Sequence, residues 1–218
     1  MDLLGTLTGE TSITKRSKMI AGVTFLQSFG PGLVKFCGIV GSVSYDPSPD
    51  DDIDIFIISR EGRLWITVIY TFILRRVKRI PDICPSLFMS SSYALNFFRK
   101  QTDPLISMDA VRAYIVKGSS FYHSLLGESE YIRRNYPDLK LECGAKSEGR
   151  SLINVIDMLI FPFAASFLKI KELFQNRRYE KRGENLKRFK TVVSPGCMYL
   201  DSEKYRRLRE EAMRNGSK

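Results

Sequence analysis

Histidine occurs once in this 218-residue chain, at His123, and tryptophan once, at Trp65. A single imidazole excludes histidine-rich metal centres. With no partner nearby in sequence, His123 reads as a surface or semi-buried residue rather than a catalytic one. The four cysteines, Cys37, Cys84, Cys143 and Cys197, lack metal-ligand or disulfide spacing, which excludes zinc ribbons and stapled secreted scaffolds. Cys37 and Cys84 lie in apolar runs and are expected to behave as small buried hydrophobes. The opening residues, Met1 to Glu10, carry neither a basic n-region nor an apolar h-region, so no secretory leader is expected and a reducing cytoplasm is the expected compartment. Long hydrophobic runs are missing too. The most apolar stretch, 152–168, contains Asn154, Asp157 and Pro162 and is too short and too polar for a comfortable membrane span. There is no internal repeat and no low-complexity segment.

What is present is the composition of an ordinary globular protein, 44% hydrophobic and 27% charged, with an excess of cations that gives a net charge of +10. That length suits one sizeable domain or two small ones. Much of the excess lies between Lys169 and Lys190, where nine Lys and Arg stand against three Glu. Such a stretch attracts polyanions, and charge alone leaves nucleic acid, an anionic membrane surface and simple solvation open.

Periodicity organises the rest. A helical stripe over 13–29 ends at Gly30-Pro31-Gly32. Short apolar runs at 34–40 and 53–58 read as strands. Residues 64–79 form an apolar helix, buried nearly all round, with Arg75, Arg76, Lys78 and Arg79 placed favourably at its carboxyl end. A third strand is expected over 83–89. Beyond Ser92 the pattern turns helical: 108–117, 120–126 and 130–135 as short helices, 152–168 as a core helix kinked at Pro162, and 201–215 as a charged terminal helix capped by Asp201. An interfacial amphipathic segment running into the basic stretch is the other reading of 152–168. Residues 191–199 read as a loop or short edge strand, and 139–150 as a polar loop. Trp65, Tyr70 and Phe72 are expected in a helix core, and Arg63 in solvent. The predicted organisation is α+β: a small mixed sheet with helices on one face over residues 1–92, then a mostly helical part with a basic tail over 93–218.

The most informative stretch is Gly41 to Ile58. An apolar strand stops at Gly41-Ser42, a nine-residue spacer follows (Val43 to Asp51), and Asp52-Ile53-Asp54 opens the next apolar run. Alternation along a strand puts Asp52 and Asp54 on the same face. Two adjacent carboxylates repel unless a cation lies between them, and carboxylate oxygens plus phosphates are the ligands Mg²⁺ prefers. The Gly-Ser turn offers backbone N–H groups and a hydroxyl to a phosphate. An acidic β-turn that merely solvates a hairpin is the plainer reading. Asp50 and Asp51 are register competitors, but the apolar Ile53 between Asp52 and Asp54 favours the latter pair.

In this arrangement the chain resembles the DNA polymerase beta-like nucleotidyltransferase superfamily. It is similar in particular to bacterial and archaeal nucleotidyltransferase-domain proteins, through Gly62-Arg63-Leu64-Trp65, Ile83-Cys84-Pro85 and Ser194-Pro195. The resemblance implies a palm-like fold and Mg²⁺- or Mn²⁺-dependent transfer of a nucleoside monophosphate from an NTP, such as ATP, to an acceptor it does not name. It implies that Gly41 and Ser42 hold phosphates and that Asp52 and Asp54 are catalytic metal ligands. The family's third carboxylate comes from a later strand, and the run 83–89 contains no acid; Asp82, one residue outside it, is the nearest candidate. That departure keeps alive an NTP- or nucleic-acid-binding module that has lost turnover.

Overall fold

A computed structural model describes residues 9–45, 51–80, 82–141, 143–146 and 153–215. In chain order the elements are α1 (Gly9–Gln27), β1 (Val34–Val40), α2 (Ser42–Tyr45), β2 (Ile53–Ser59), α3 (Leu64–Val77), β3 (Ile83–Ser90), α4 (Ser91–Arg99), α5 (Pro104–Val111), β4 (Tyr114–Lys117), α6 (Ser119–Gly127), α7 (Glu130–Asn135), α8 (Ile153–Lys181), β5 (Phe189–Ser194), β6 (Cys197–Ser202) and α9 (Glu203–Asn215). The strands form one six-stranded mixed sheet in the order β4-β1-β2-β3-β6-β5. Only β2 and β3 run parallel, joined through α3; the other neighbours are antiparallel.

The α+β class is as expected, but helices cover both faces of the sheet rather than one. Along β2, Ile53, Ile55 and Ile57 join a core with α1, α3 and α8, whereas Phe56 and Ile58 join a second core with α4, α5, α6 and α7. Alternation sends successive side chains to opposite faces, so a strand apolar at nearly every position has to be covered twice. Phe36 anchors the second core, stacked on Tyr122 at 3.9 Å between ring centroids and edge-on to Phe56.

Several local expectations are corrected. The helix expected over 108–117 starts earlier and stops sooner. Asp103 caps α5, its carboxylate accepting from the Leu105 and Ile106 amides at 2.9 and 3.3 Å, with Pro104 in the first turn. Residues 114–117 are strand β4, which pairs with β1. Residues 191–199 fall in the β5–β6 hairpin: β5 is the edge strand that was one of the two readings, but β6 lies inside the sheet, paired with β3. The terminal helix begins at Glu203, and Ser202, not Asp201, accepts from the Tyr205 amide at 3.1 Å. In α3, Ile69, Ile73 and Val77 are exposed, so the helix is not buried all round. Part of the expected 139–150 loop lies outside the described residues.

Helix α8 differs most from expectation. It continues through Pro162 to Lys181 and gives the core only one face, through Phe161, Ala164 and Leu168. That face also stitches distant backbone. Asp157 Oδ1 accepts from the amides of Trp65 and Ile66 at 2.7 and 3.0 Å and so caps α3. Along the edge strand β5, Asn176 exchanges two hydrogen bonds with Phe189, and Glu172 accepts from the Thr191 amide at 2.7 Å. These side chains satisfy backbone groups that a bare sheet edge would offer to another chain. Among the described residues no helix is long and apolar enough to cross a membrane.

Candidate functional site

The carboxyl end of β1 and the amino end of β2 meet because the strands are antiparallel, with Val40 opposite Asp54. One residue past Val40, Gly41 turns the chain at φ 70° into α2, and Ser44 closes the turn by donating from its amide and its hydroxyl to the Gly41 carbonyl, at 3.0 and 2.7 Å. A Cβ at position 41 would lie 2.8 Å from a carboxylate oxygen of Asp54. Both the left-handed backbone and this close approach demand glycine. The Gly-Ser turn and the Asp-Ile-Asp strand end are thus in contact.

On its other side Asp54 pairs across the parallel strands with Cys84. The register then shifts, the extra residue falling at Pro85-Ser86, where a strand tolerates a proline that has no N–H to give. Asp54 is half-buried, and burial pushes its carboxyl up to about 7. A hydrogen bond from Cys84 opposes the shift, the Asp52 charge adds to it, Ser86 opposes it and Asp109 adds a little. The Cys84 thiol in turn is held well above its ordinary range, by burial first and then by the charges of Asp54 and Asp52. Cys84 is half-buried and hydrogen-bonded to Asp54, so it is not the small buried hydrophobe expected, whereas Cys37 is fully buried in the first core.

Asp52 stands at the entrance to β2 and reaches solvent, yet surrounding protein displaces enough water to raise its pKa. Arg75 opposes that shift, Asp82 reinforces it, and Lys18 and Lys187 oppose it. Asp82 is exposed, and its carbonyl accepts from the Ile53 amide at 2.7 Å, which places it beside the strand entrance. All three acids singled out in the sequence therefore lie at one end of the sheet. Burial raises the pKa of both Asp52 and Asp54, even though Arg75, Lys18 and Lys187 act to lower that of Asp52. Two such oxygen donors suit a hard divalent cation that completes its shell with substrate oxygens; the thiol of Cys84 does not. Among the described residues no group of three or more His, Cys, Asp or Glu is arranged to hold a metal.

The cationic half of the site was not legible in the sequence. Lys18 on α1, Arg75 on α3, and Lys187 just after α8 all act on Asp52, and Tyr179 on α8 feels the charges of Asp52 and Cys84. Lys18 Nζ also donates to the Asp51 carbonyl at 2.5 Å. Lys171, on the inner side of α8, sits over the Phe72 ring at 4.3 Å. Its pKa is pushed down to about 8, by burial first and then by Arg75. Part of the 169–190 stretch thus turns inward onto the acidic edge; the only sequence signal was its density of Lys and Arg. Asp109 on α5 was missed as well. It hydrogen-bonds Tyr205 and is pushed up to about 6, chiefly by burial.

Most other residues are placed as expected. His123 is exposed, Trp65 is buried against Phe161, and Tyr70 packs edge-on to Phe29. Arg63, expected in solvent, is instead half-buried and donates to the Gly32 carbonyl. A hollow of about 400 Å³ beside Lys35, Arg60, Lys117 and Phe121 lies at the other end of β1, away from the acids. No family model, curated protein or solved structure matches this chain.

Proposed function

We propose that the chain binds a nucleoside triphosphate with Mg²⁺ or Mn²⁺ at the Gly41–Asp54 edge and transfers a nucleoside monophosphate to an acceptor. The observation that carries this reading is the contact between the Gly41-Ser42 turn and Asp54, with Asp52 beside it: a phosphate cradle touching a metal-type acidic pair. The Gly41 turn and the Ser42 hydroxyl would hold phosphate oxygens. Lys18, Arg75, Lys171 and Lys187 supply positive charge along the same edge, where a triphosphate carries several negative ones. Asp52 and Asp54 would ligate the divalent ion, which supplies charge neutralisation for an in-line displacement at phosphorus. Asp82 is the carboxylate we assign to receive the acceptor's proton, and its charge acting on Asp52 supports that assignment. We place this activity in the cytoplasm, where NTPs abound and where the four cysteines, all free in the fold, stay reduced.

A second reading rests on one observation, that a thiol stands beside Asp54 on the strand expected to bring the third carboxylate. The chain would then bind NTP, or nucleic acid through its cationic edge, without turning over. The two readings separate on incubation with each labelled NTP, Mg²⁺ or Mn²⁺ and a mixed acceptor lysate. Metal-dependent label transfer or pyrophosphate release that disappears in Asp54→Asn supports transfer. Tight NTP binding with no release supports the binding module. Salt-sensitive nucleic-acid binding that ignores Asp54→Asn supports the nucleic-acid form of the second reading, through the cationic edge.

A further inference from the structure

The outer face of α8 is the least expected surface of the molecule. Between Val155 and Phe174, nine large apolar side chains are each more than half exposed, among them Met158 at 68%, Leu159 at 66%, Phe163 at 78% and Phe174 at 62%. At 3.6 residues per turn they fall on one continuous stripe about 30 Å long. Together they leave on the order of 1,000 Å² of apolar surface in water. A typical monomer exposes no contiguous patch larger than about 300–600 Å².

We propose that this stripe is the interface for a second copy of the same chain, packed antiparallel about a two-fold axis near Phe163 and Phe167. Area is the first argument: a stable interface buries about 800 Å² on each partner, and the stripe alone supplies that. Charge distribution is the second. The four charged residues in the span are engaged with their own chain: Asp157 caps α3, Lys169 and Glu172 meet each other and Thr191, and Lys171 lies over Phe72. The stripe itself is uncharged, and Arg177, Arg178 and Lys181 come immediately past one end. Antiparallel pairing puts the two basic ends at opposite extremes of the dimer, where they do not confront each other. A helix lying in a bilayer surface carries cations along its polar flanks, and here those flanks are already packed on the protein. The two-fold arrangement lets the same patch serve both partners. It owes nothing to the chemistry of the acidic edge.

Sedimentation equilibrium of the full chain tests the proposal. The expected mass is twice 25.0 kDa. Phe163→Glu combined with Leu159→Glu should weaken association at least about 100-fold while the circular dichroism spectrum holds, because both positions are exposed. In a Cys143→Ser background, Phe163→Cys should give a disulfide-linked dimer under mild oxidation, and Val155→Cys, far from the axis, should not. A wild-type monomer at about 50 µM overturns the proposal. So does crosslinking through Val155→Cys in place of Phe163→Cys, or flotation with phosphatidylserine vesicles that the double Glu variant abolishes.

Discussion

Cys84 donates its thiol hydrogen toward the carboxylate of Asp54 across the only parallel strand pair in the described sheet. A soft, high-pKa donor therefore occupies the place next to Asp54 from which a third oxygen ligand would come. Substituting Cys84→Asp is expected to tighten Mn²⁺ binding about tenfold by titration calorimetry, at a cost in metal-free stability, since like carboxylates side by side repel. Unchanged affinity would place Cys84 outside the reach of the ion.

Asp54 makes stability depend on pH. Its folded pKa of about 7 stands above the ordinary 3.8, so between those values the folded protein binds more protons than the unfolded chain. Stability should therefore fall as pH rises from about 4 to 7, by on the order of 3 kcal/mol from this group. Asp54→Asn should flatten that slope and melt above the wild type at pH 8 in EDTA, yet close to it at pH 4. Mg²⁺ should raise the wild-type melting temperature at pH 8 and leave Asp54→Asn unmoved.

Gly41→Ala combines a left-handed backbone with a Cβ pressed against Asp54. The backbone alone costs about 1–2 kcal/mol, and displacement of the carboxylate adds to it and should abolish metal-dependent stabilisation. Gly30→Ala is the control, because a Cβ there meets nothing within 4 Å. Urea midpoints for the two variants should differ clearly; equal midpoints would mean that the turn yields freely.

Lys171 is charged below about 8 and neutral above it. If it contacts triphosphate, NTP affinity in the wild type should drop as pH rises past 8. Lys171→Met should bind about tenfold more weakly at pH 7 and show little further loss at pH 9.5. Fluorescence titration with a labelled NTP reads both arms. Parallel pH profiles for the two proteins would remove Lys171 from the site.

Some of this could be read along the chain because it depends on near neighbours. The strands at 34–40, 53–59 and 83–90 announce themselves by apolar runs between turn residues, and α7 falls on residues 130–135 as expected. Residues 114–117 did not: Tyr114, Ile115 and Val116 suit either state, and only pairing with β1 makes them a strand. The helix expected over 108–117 instead starts at the Asp103-Pro104 cap, whose side-chain hydrogen bonds fix the first turn of α5. In α8 the sequence shows apolar residues on nearly every side, and periodicity does not say which face meets the core.

From the sequence alone came the strand–Gly-Ser–Asp-Ile-Asp–strand order, fixed by backbone alternation and turn chemistry within a dozen or so residues. Tertiary structure decided what surrounds it. Cys84 beside Asp54, the cations Lys18, Arg75 and Lys187 gathered around Asp52, and the bare outer stripe of α8 follow from register and packing between elements far apart in the chain. No local periodicity encodes those relationships, because the burial that sets each charge and exposes each face exists only once the elements are assembled.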